Sequence, residues 1–99
     1  MTGKQRAYLR SLANSLDTIL YVGKGGLSEN VVKEADEALT ARELIKGRVL
    51  EASLMTAAEA CQALAEATGA EGIQSIGSRF VLFKRNEKEP VIEGIPKAK

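Results

Sequence analysis

The short segment Gly23-Lys24-Gly25-Gly26 combines residue types that favour the binding of an anion. Glycines let an anion approach the backbone, whose N–H groups can donate hydrogen bonds to it, and Lys24 adds a positive charge. Ser28, a good N-cap, follows closely, so the segment would lead into the positive end of a helix dipole. The pattern favours contact with a phosphate group. It is equally typical of a tight turn between a strand and a helix, which is the alternative.

Two better-defined phosphate-binding motifs are missing from the chain. No Gly-x-x-x-x-Gly-Lys-Ser/Thr sequence occurs. A dinucleotide fingerprint that began at Gly23 would need its third glycine where Ser28 stands. Nucleotide binding is therefore disfavoured, and we expect no cofactor.

Acid–base catalysis and metal binding lack the side chains that they most often use. The chain has no histidine and a single cysteine, Cys61, which excludes a Cys/His zinc site and an intrachain disulfide. Cys61 falls on the apolar stripe of a predicted helix, so we expect it in the core. Glu34 and Glu37 could form a carboxylate pair, but they fall on a helix side expected to face water. We therefore expect no catalytic residue, no metal site and a reducing, cytoplasmic setting.

Basic residues are unevenly distributed along a chain whose formal net charge is only +1. The predicted helices over residues 28–41 and 56–68 are mainly acidic, and most other segments are basic. A cationic face on a near-neutral domain is the expected footprint of phosphate contact, because the local field displaces counterions. The alternative is that each charge only keeps the surface solvated. We expect the following binding residues to gather on a single side of the molecule: Gly23, Lys24, Gly25, Gly26, Lys46, Arg48, Lys84, Arg85, Lys4, Arg6, Arg10 and Arg79.

Hydrophobic periodicity predicts the elements that would position these residues. Thr2, Ser28 and Thr56 are candidate N-caps of three helices. The order α-β-α-β-α-β-β predicts an α/β fold in which a mixed four-stranded sheet is packed with helices. Helical crossovers would pair the first three strands in parallel, and a final hairpin would add an antiparallel strand. The helices are expected over residues 4–14, 28–41 and 56–68, and the strands over residues 18–22, 44–50, 73–76 and 80–84.

Length and composition indicate one domain. The 99 residues, 44% of them hydrophobic, suffice for one apolar core. No apolar run approaches the roughly 20 residues that cross a bilayer, so we expect no membrane association. Charge and two prolines dominate from Asn86 onward. We therefore expect a single, monomeric domain over residues 1–86 and a flexible charged tail over residues 87–99.

Five short motifs occur in a fixed order between residues 3 and 85. They are Gly23-Lys24-Gly25-Gly26-Leu27, Glu43-Leu44-Ile45-Lys46, Thr68-Gly69-Ala70, Gln74-Ser75-Ile76-Gly77 and Val81-Leu82-Phe83-Lys84-Arg85. Together they resemble the CRM domain, the chloroplast RNA splicing and ribosome maturation domain, in its bacterial stand-alone YhbY-like form. Three positions depart from the family pattern. Asn14 and Arg42 stand where many relatives have histidine, and Gly47 stands where an apolar residue is usual.

The resemblance implies a fold similar to the C-terminal domain of translation initiation factor three. It also implies RNA binding through Gly23–Gly26 and association with rRNA in precursors of the large ribosomal subunit. We expect the core to contain Tyr21 and Phe83, which are then not available to stack on bases. Recognition would therefore use RNA phosphates and 2′-hydroxyl groups, with modest sequence specificity. A protein-interaction module that docks on ribosomal proteins or assembly factors, through its acidic second and third helices, stays open as an alternative.

Overall fold

The computed structural model describes residues 1–96 and shows a four-stranded mixed sheet with three helices. The elements follow one another in the predicted order α-β-α-β-α-β-β, so the predicted fold class is confirmed. The helices are α1 (Gly3–Ala13), α2 (Glu29–Arg42) and α3 (Ala57–Thr68), and the strands are β1 (Leu20–Val22), β2 (Leu44–Val49), β3 (Glu71–Ile76) and β4 (Arg79–Phe83).

Each helix begins at the predicted N-cap. The hydroxyl oxygens of Thr2 and Thr56 accept hydrogen bonds from backbone N–H groups three residues later, and the side chains of Gln5 and Glu59 accept one in return. Both helices thus begin with a capping box. Ser28 caps α2 in the simpler way, through its side chain alone. Across residues 1–96, no helix is long and apolar enough to cross a membrane.

The strand order is β1-β2-β4-β3. Strand β1 pairs with β2 in parallel, and β4 is antiparallel to both β2 and β3. The prediction that the first three strands pair in parallel is therefore wrong for β3, which points the same way as β2 without touching it. The reason is burial, since Phe80–Phe83 are all buried while β3 is mostly accessible. A continuous apolar strand gains most at the centre of a sheet.

This topology brings three connections to one edge of the sheet. Strands β1, β2 and β3 end there, and β4 begins there. We call it the loop edge, and it carries the connections over residues 23–28, 50–56 and 77–78. They are held side by side, because the Leu50 N–H donates to the Val22 carbonyl at 2.8 Å and the Val49 N–H donates to the Ser78 carbonyl at 2.7 Å.

Two apolar clusters lie on opposite faces of the sheet. One joins α2 and α3 to residues such as Ile45 and Leu82, and the other joins α1 to Leu44 and Phe83. Gly47 allows the first cluster to close, because a β-carbon at this position would stand 2.3 Å from the ring of Phe80. The ring fills the space that a side chain at this position would occupy, and β2 continues through the glycine.

The C-terminal segment contacts α1. The Tyr8 hydroxyl donates to the Glu93 carbonyl at 2.7 Å, and the Gln5 side-chain amide donates to the Pro96 carbonyl at 2.9 Å. Ile92 also packs against the apolar cluster under α1. Residues 92–96 therefore have contacts with α1 and its apolar cluster, while the flexibility expected of the tail stays a prediction. The division of the chain at residue 86 stays a prediction, and residues 97–99 lie outside the described residues.

Candidate functional site

The glycine segment forms a tight turn at the end of β1. The Gly26 N–H donates to the Gly23 carbonyl at 3.0 Å, and Gly26 has a φ of +66°, which favours glycine. Lys24 and Gly25 are exposed at the tip. Their N–H groups donate to no acceptor within residues 1–96, so they remain available to an anion. The prediction that the Gly26 N–H also faces a ligand needs correction, because that group closes the turn.

Four exposed residues form a continuous line across the sheet beside this turn. Tyr21 on β1 is the neighbour of Arg48 on β2, which is opposite Arg79 on β4, which is opposite Ile76 on β3. We call these four residues the cross-strand row. Neighbours in register present their side chains on the same face, here the face that α1 partly covers. At a strand spacing of about 4.8 Å the row spans about 14 Å.

Tyr21 corrects one expectation from the sequence. Phe83 lies in the core as expected, with 4% of its surface exposed, but Tyr21 is 51% exposed. The cause is the strict alternation of β1, in which Leu20 and Val22 are buried and Tyr21 between them points outward. A period of two in the sequence was the signal that could have identified Tyr21 as a surface residue.

The two arginines of the row form no ion pair within residues 1–96, where no carboxylate lies within ion-pairing distance of Arg48 or Arg79. Like charges directly opposite each other on antiparallel strands repel. Glu29, the first residue of α2, and Glu51, in the loop after β2, are the acids of the loop edge. The row therefore carries concentrated positive charge that a bound anion would neutralise. We call Lys24, Gly25 and the cross-strand row together the loop-edge surface.

Two of the predicted binding residues instead hold α1 on the sheet. The Arg6 guanidinium donates to main-chain carbonyls at the start of β3 and lies 3.9 Å from the carboxylate of Glu71. The Lys46 ammonium donates at 3.3 Å to the last carbonyl of α1, where a cation also complements the helix dipole. Lys4 and Arg10 are exposed on α1.

Lys84 and Arg85 lie at the other end of β4 from Arg79. The intervening strand length is about 17 Å at roughly 3.4 Å per residue. The Lys84 ammonium donates to the Thr68 carbonyl at 2.7 Å and lies 3.8 Å from Asp36, which ties α2 and α3 to the sheet. The expectation that all the bases gather on a single side is therefore wrong. Arg48 and Arg79 lie opposite each other at the loop edge, which also carries the turn with Lys24, whereas Lys84 and Arg85 lie at the other end of β4.

Glu43 organises that far end, a role that sequence reasoning did not assign. Its side chain is completely buried and its φ is +64°, which is uncommon for a residue with a β-carbon. The carboxylate accepts hydrogen bonds from the N–H groups of Asn86 (2.6 Å), Val91 (2.7 Å) and Ile92 (2.7 Å) and from Arg85 (3.3 Å). Burial acts to raise the pKa of Glu43, but these hydrogen bonds and the Arg85 charge outweigh it and lower the pKa.

Cys61 lies in the core cluster between α3 and the sheet, as predicted. Burial raises the pKa of its thiol, and the opposing effect of Arg6 is smaller. A protonated, buried thiol is a poor nucleophile. In the part of the chain that the structure describes, no group of three His, Cys, Asp or Glu side chains could hold a metal ion.

The two faces of the sheet differ in charge. Helices α2 and α3, which together carry six acidic and two basic residues, pack on one face. Helix α1, which carries three basic residues and no acidic one, lies with the cross-strand row on the other face. Fold and site therefore define a class of protein, a small α/β domain whose cationic loop edge is suited to a polyanion.

Comparison with known proteins identifies the family. Residues 1–84 match the CRS1 / YhbY (CRM) domain, and the chain belongs to this family. It is 41% identical over 93 residues to YqeI of Bacillus subtilis, named a probable RNA-binding protein, covering 94% of this chain and 97% of YqeI. It is 33% identical over 91 residues to an RNA-binding protein of Haemophilus influenzae, covering 92% of each chain. The solution structure of SAV1595 from Staphylococcus aureus matches with a TM-score of 0.79 and 44% identity, over 97% of this chain and 99% of the other.

Proposed function

We propose that this protein binds structured RNA through the loop-edge surface and associates with precursor rRNA of the large ribosomal subunit during its assembly. The observation that carries the proposal is the unneutralised pair Arg48 and Arg79 next to a turn with open amides. Family membership and the names of the relatives support RNA as the polyanion. The protein acts by binding and not by catalysis, as a monomer in the cytoplasm.

The glycine turn would bind one phosphate. The N–H groups of Lys24 and Gly25 donate to its oxygens, the Lys24 ammonium adds charge, and the N-terminus of α2 follows in the chain. Charge-assisted hydrogen bonds of this kind are short and directional. The turn thus fixes the position of the RNA backbone without reading its sequence.

The remaining bases divide between binding and structure. Arg48 and Arg79 would bind further phosphates, and Arg10 and Lys4 would extend the contact along α1. The other four predicted bases already have partners inside the protein, and we assign them to stability. They are Arg6, Lys46, Lys84 and Arg85.

The test replaces charge at the turn and compares an equal replacement elsewhere. The double variant Lys24→Ala, Gly25→Asp changes the net charge by two, and no atom lies within 4 Å of a β-carbon at Gly25 to obstruct it. The control Lys33→Ala, Gln62→Glu makes the same change at exposed positions of α2 and α3. We expect the turn variant to weaken rRNA binding and to flatten the slope of log affinity against log salt by about one for each phosphate that it no longer binds. Equal affinities and slopes for the two variants would remove the turn from the site.

The ribosomal part of the proposal is tested in cells. Crosslinking followed by sequencing of the attached RNA should recover large-subunit precursor rRNA with the wild-type protein and much less of it with the turn variant. Recovery of unrelated RNAs in proportion to their abundance would contradict the assignment.

A second candidate is a protein-interaction module that docks through the acidic face. The observation in its favour is the exposure of Glu34, Glu37 and Glu66 on the helices that face away from α1. Pulled-down particles treated with nuclease separate the two candidates, because a pure protein contact survives digestion of the RNA.

A further inference from the structure

We propose that the cross-strand row binds unpaired nucleotides, so that the preferred RNA contains a duplex adjoining a single-stranded segment. This inference rests on the proposed function and makes its ligand more specific. The glycine turn would hold the backbone, and the row would receive the bases that the duplex leaves unpaired.

The apolar members of the row are the first argument. Tyr21 and Ile76 are 51% and 67% exposed, although both lie within strands of the sheet. The Tyr21 hydroxyl lies 3.5 Å from the Thr18 carbonyl, so the side chain extends toward the residues before β1 while half of it stays exposed. Contacts to phosphates alone could use the Tyr21 hydroxyl, but they would use neither the face of its ring nor the Ile76 side chain. Aromatic rings stack on bases of any sequence, and bases expose their faces only where they are unpaired or at a duplex end.

The arrangement of the arginines is the second argument. Arg48 and Arg79 lie between Tyr21 and Ile76, so that across the four strands the row has one aromatic, two cationic and one aliphatic side chain. Guanidinium groups can stack on bases as well as bind phosphates. An aromatic platform joined to a positively charged track is the combination that single-stranded nucleic acid requires.

A shallow depression beside the row is the third argument. It lies between the end of α1 and strands β2, β3 and β4, and it shares Ile76 and Arg79 with the row. Asn14, Lys46 and Gln74 also line it. The amides of Asn14 and Gln74 can donate to and accept from the edge of a base. A base that stacks on the row could therefore meet hydrogen-bonding groups next to it.

The experiment compares two RNAs and two variants of Tyr21. One RNA is a blunt stem made of two annealed strands, which has no loop, and the other is the same stem with a short unpaired 3′ extension on one strand. Tyr21→Thr removes the ring and keeps a residue that favours strands, whereas Tyr21→Phe keeps the ring. Thermal unfolding of all three proteins, which should agree because Tyr21 lies on the surface, establishes that the fold is intact.

We expect wild type and Tyr21→Phe to prefer the extended RNA, and Tyr21→Thr to lose about tenfold in affinity for it, equivalent to about 1.4 kcal/mol. The affinity of Tyr21→Thr for the blunt stem should not change. Stacking has its own signal, because the chain has two tyrosines and no tryptophan. In a Tyr8→Phe background the remaining tyrosine fluorescence should be quenched by the extended RNA and not by the blunt stem.

The outcomes separate this inference from the proposed function. If wild type binds both RNAs equally and Tyr21→Thr changes neither affinity, the row does not bind unpaired bases, while RNA binding by the turn stands. A row that binds a protein and not RNA would give this same result, which would overturn the inference. An equal loss for both RNAs would make Tyr21 a general contact and would also overturn the inference. If neither RNA binds, the proposed function itself fails.

Discussion

Replacing Glu43 by glutamine tests how the far end of the sheet is held. The substitution keeps the size of the side chain and removes its charge. One carboxylate oxygen accepts from the N–H groups of Val91 and Ile92, and the other accepts from Asn86. Glutamine has one acceptor oxygen, and its NH₂ group must face at least one of these donors. A backbone N–H is then left without a partner in a site with no exposed surface.

The expected loss follows from that geometry. An unpartnered buried donor costs about 1–3 kcal/mol, and the hydrogen bonds that remain lose the strength that the negative charge gave them. We expect Glu43→Gln to lower the free energy of unfolding by about 2–4 kcal/mol. For a domain of this size, this corresponds to a fall in Tm of roughly 10–20 °C.

Thermal unfolding followed by circular dichroism measures this difference, with Glu93→Gln as a control at an exposed carboxylate. Hydrogen exchange at Val91 and Ile92 should accelerate in the Glu43 variant, because their N–H groups lose a charged acceptor. A fall in Tm of less than about 2 °C, with exchange unchanged, would refute the assignment of Glu43 as the residue that holds the C-terminal segment.

Four further measurements test individual contacts. Folding lowers the pKa of Glu43 below its ordinary value of 4.5. The charged side chain therefore stabilises the fold fully above that value, and this stabilisation is lost as the pH falls through the folded-state pKa. The free energies of unfolding of wild type and Glu43→Gln, measured with urea, should differ by a constant amount above about pH 6 and converge in acid. Gly47→Ala should cost about 1–3 kcal/mol in urea denaturation, because its β-carbon would overlap the Phe80 ring, and a cost below about 0.5 kcal/mol would contradict that packing. Gly26→Ala should lower stability by about 1 kcal/mol because of its positive φ, whereas equal stabilities for Gly26→Ala and an Ala at an unstrained loop position would contradict the turn geometry. Arg79→Thr should raise the free energy of unfolding by a few tenths of a kcal/mol at low salt, because it removes the repulsion between Arg79 on β4 and Arg48 on β2. The gain should disappear at high salt, and a loss of stability at low salt would show that the repulsion is absent.

The helices and the order of elements were predictable because their signals are local. Thr2, Ser28 and Thr56 mark the helix starts with side chains that bond to backbone groups only three residues away. The strand order was not predictable in the same way. A helix that connects two strands indicates that they run in the same direction, but it does not show whether they lie next to each other in the sheet. The uninterrupted apolar run from Phe80 to Phe83 was the available indication that β4 is central.

The binding surface was predictable in its charge and not in its extent. The sequence shows that Lys84 is basic, but its partners Asp36 and Thr68 are distant in the chain, and only the fold shows that its charge is already engaged. The glycine turn and the bases Arg48 and Arg79 were predicted from residue type. In the structure the two arginines lie opposite each other, and the turn follows β1 at the same edge of the sheet. Their role in binding RNA stays a prediction.

The separation of functions along β4 explains how one small domain can be both stable and strongly polar. At one end of β4, Lys84 and Arg85 form ion pairs that hold the helices and the C-terminal segment. At the other end, Arg48 and Arg79 form no ion pair within residues 1–96, so their positive charge can attract a ligand. Charges that already have partners contribute little to attracting a polyanion, whereas unpaired charges attract it and release counterions when it binds.

Mapping of backbone amide chemical shifts during titration with a hairpin RNA tests the central claim most directly. The account predicts that the largest changes fall at Lys24, Gly25, Arg48 and Arg79, and that the amides around Lys84 are unaffected. Changes centred on Lys84 or on the acidic faces of α2 and α3, with the glycine turn unperturbed, would contradict it.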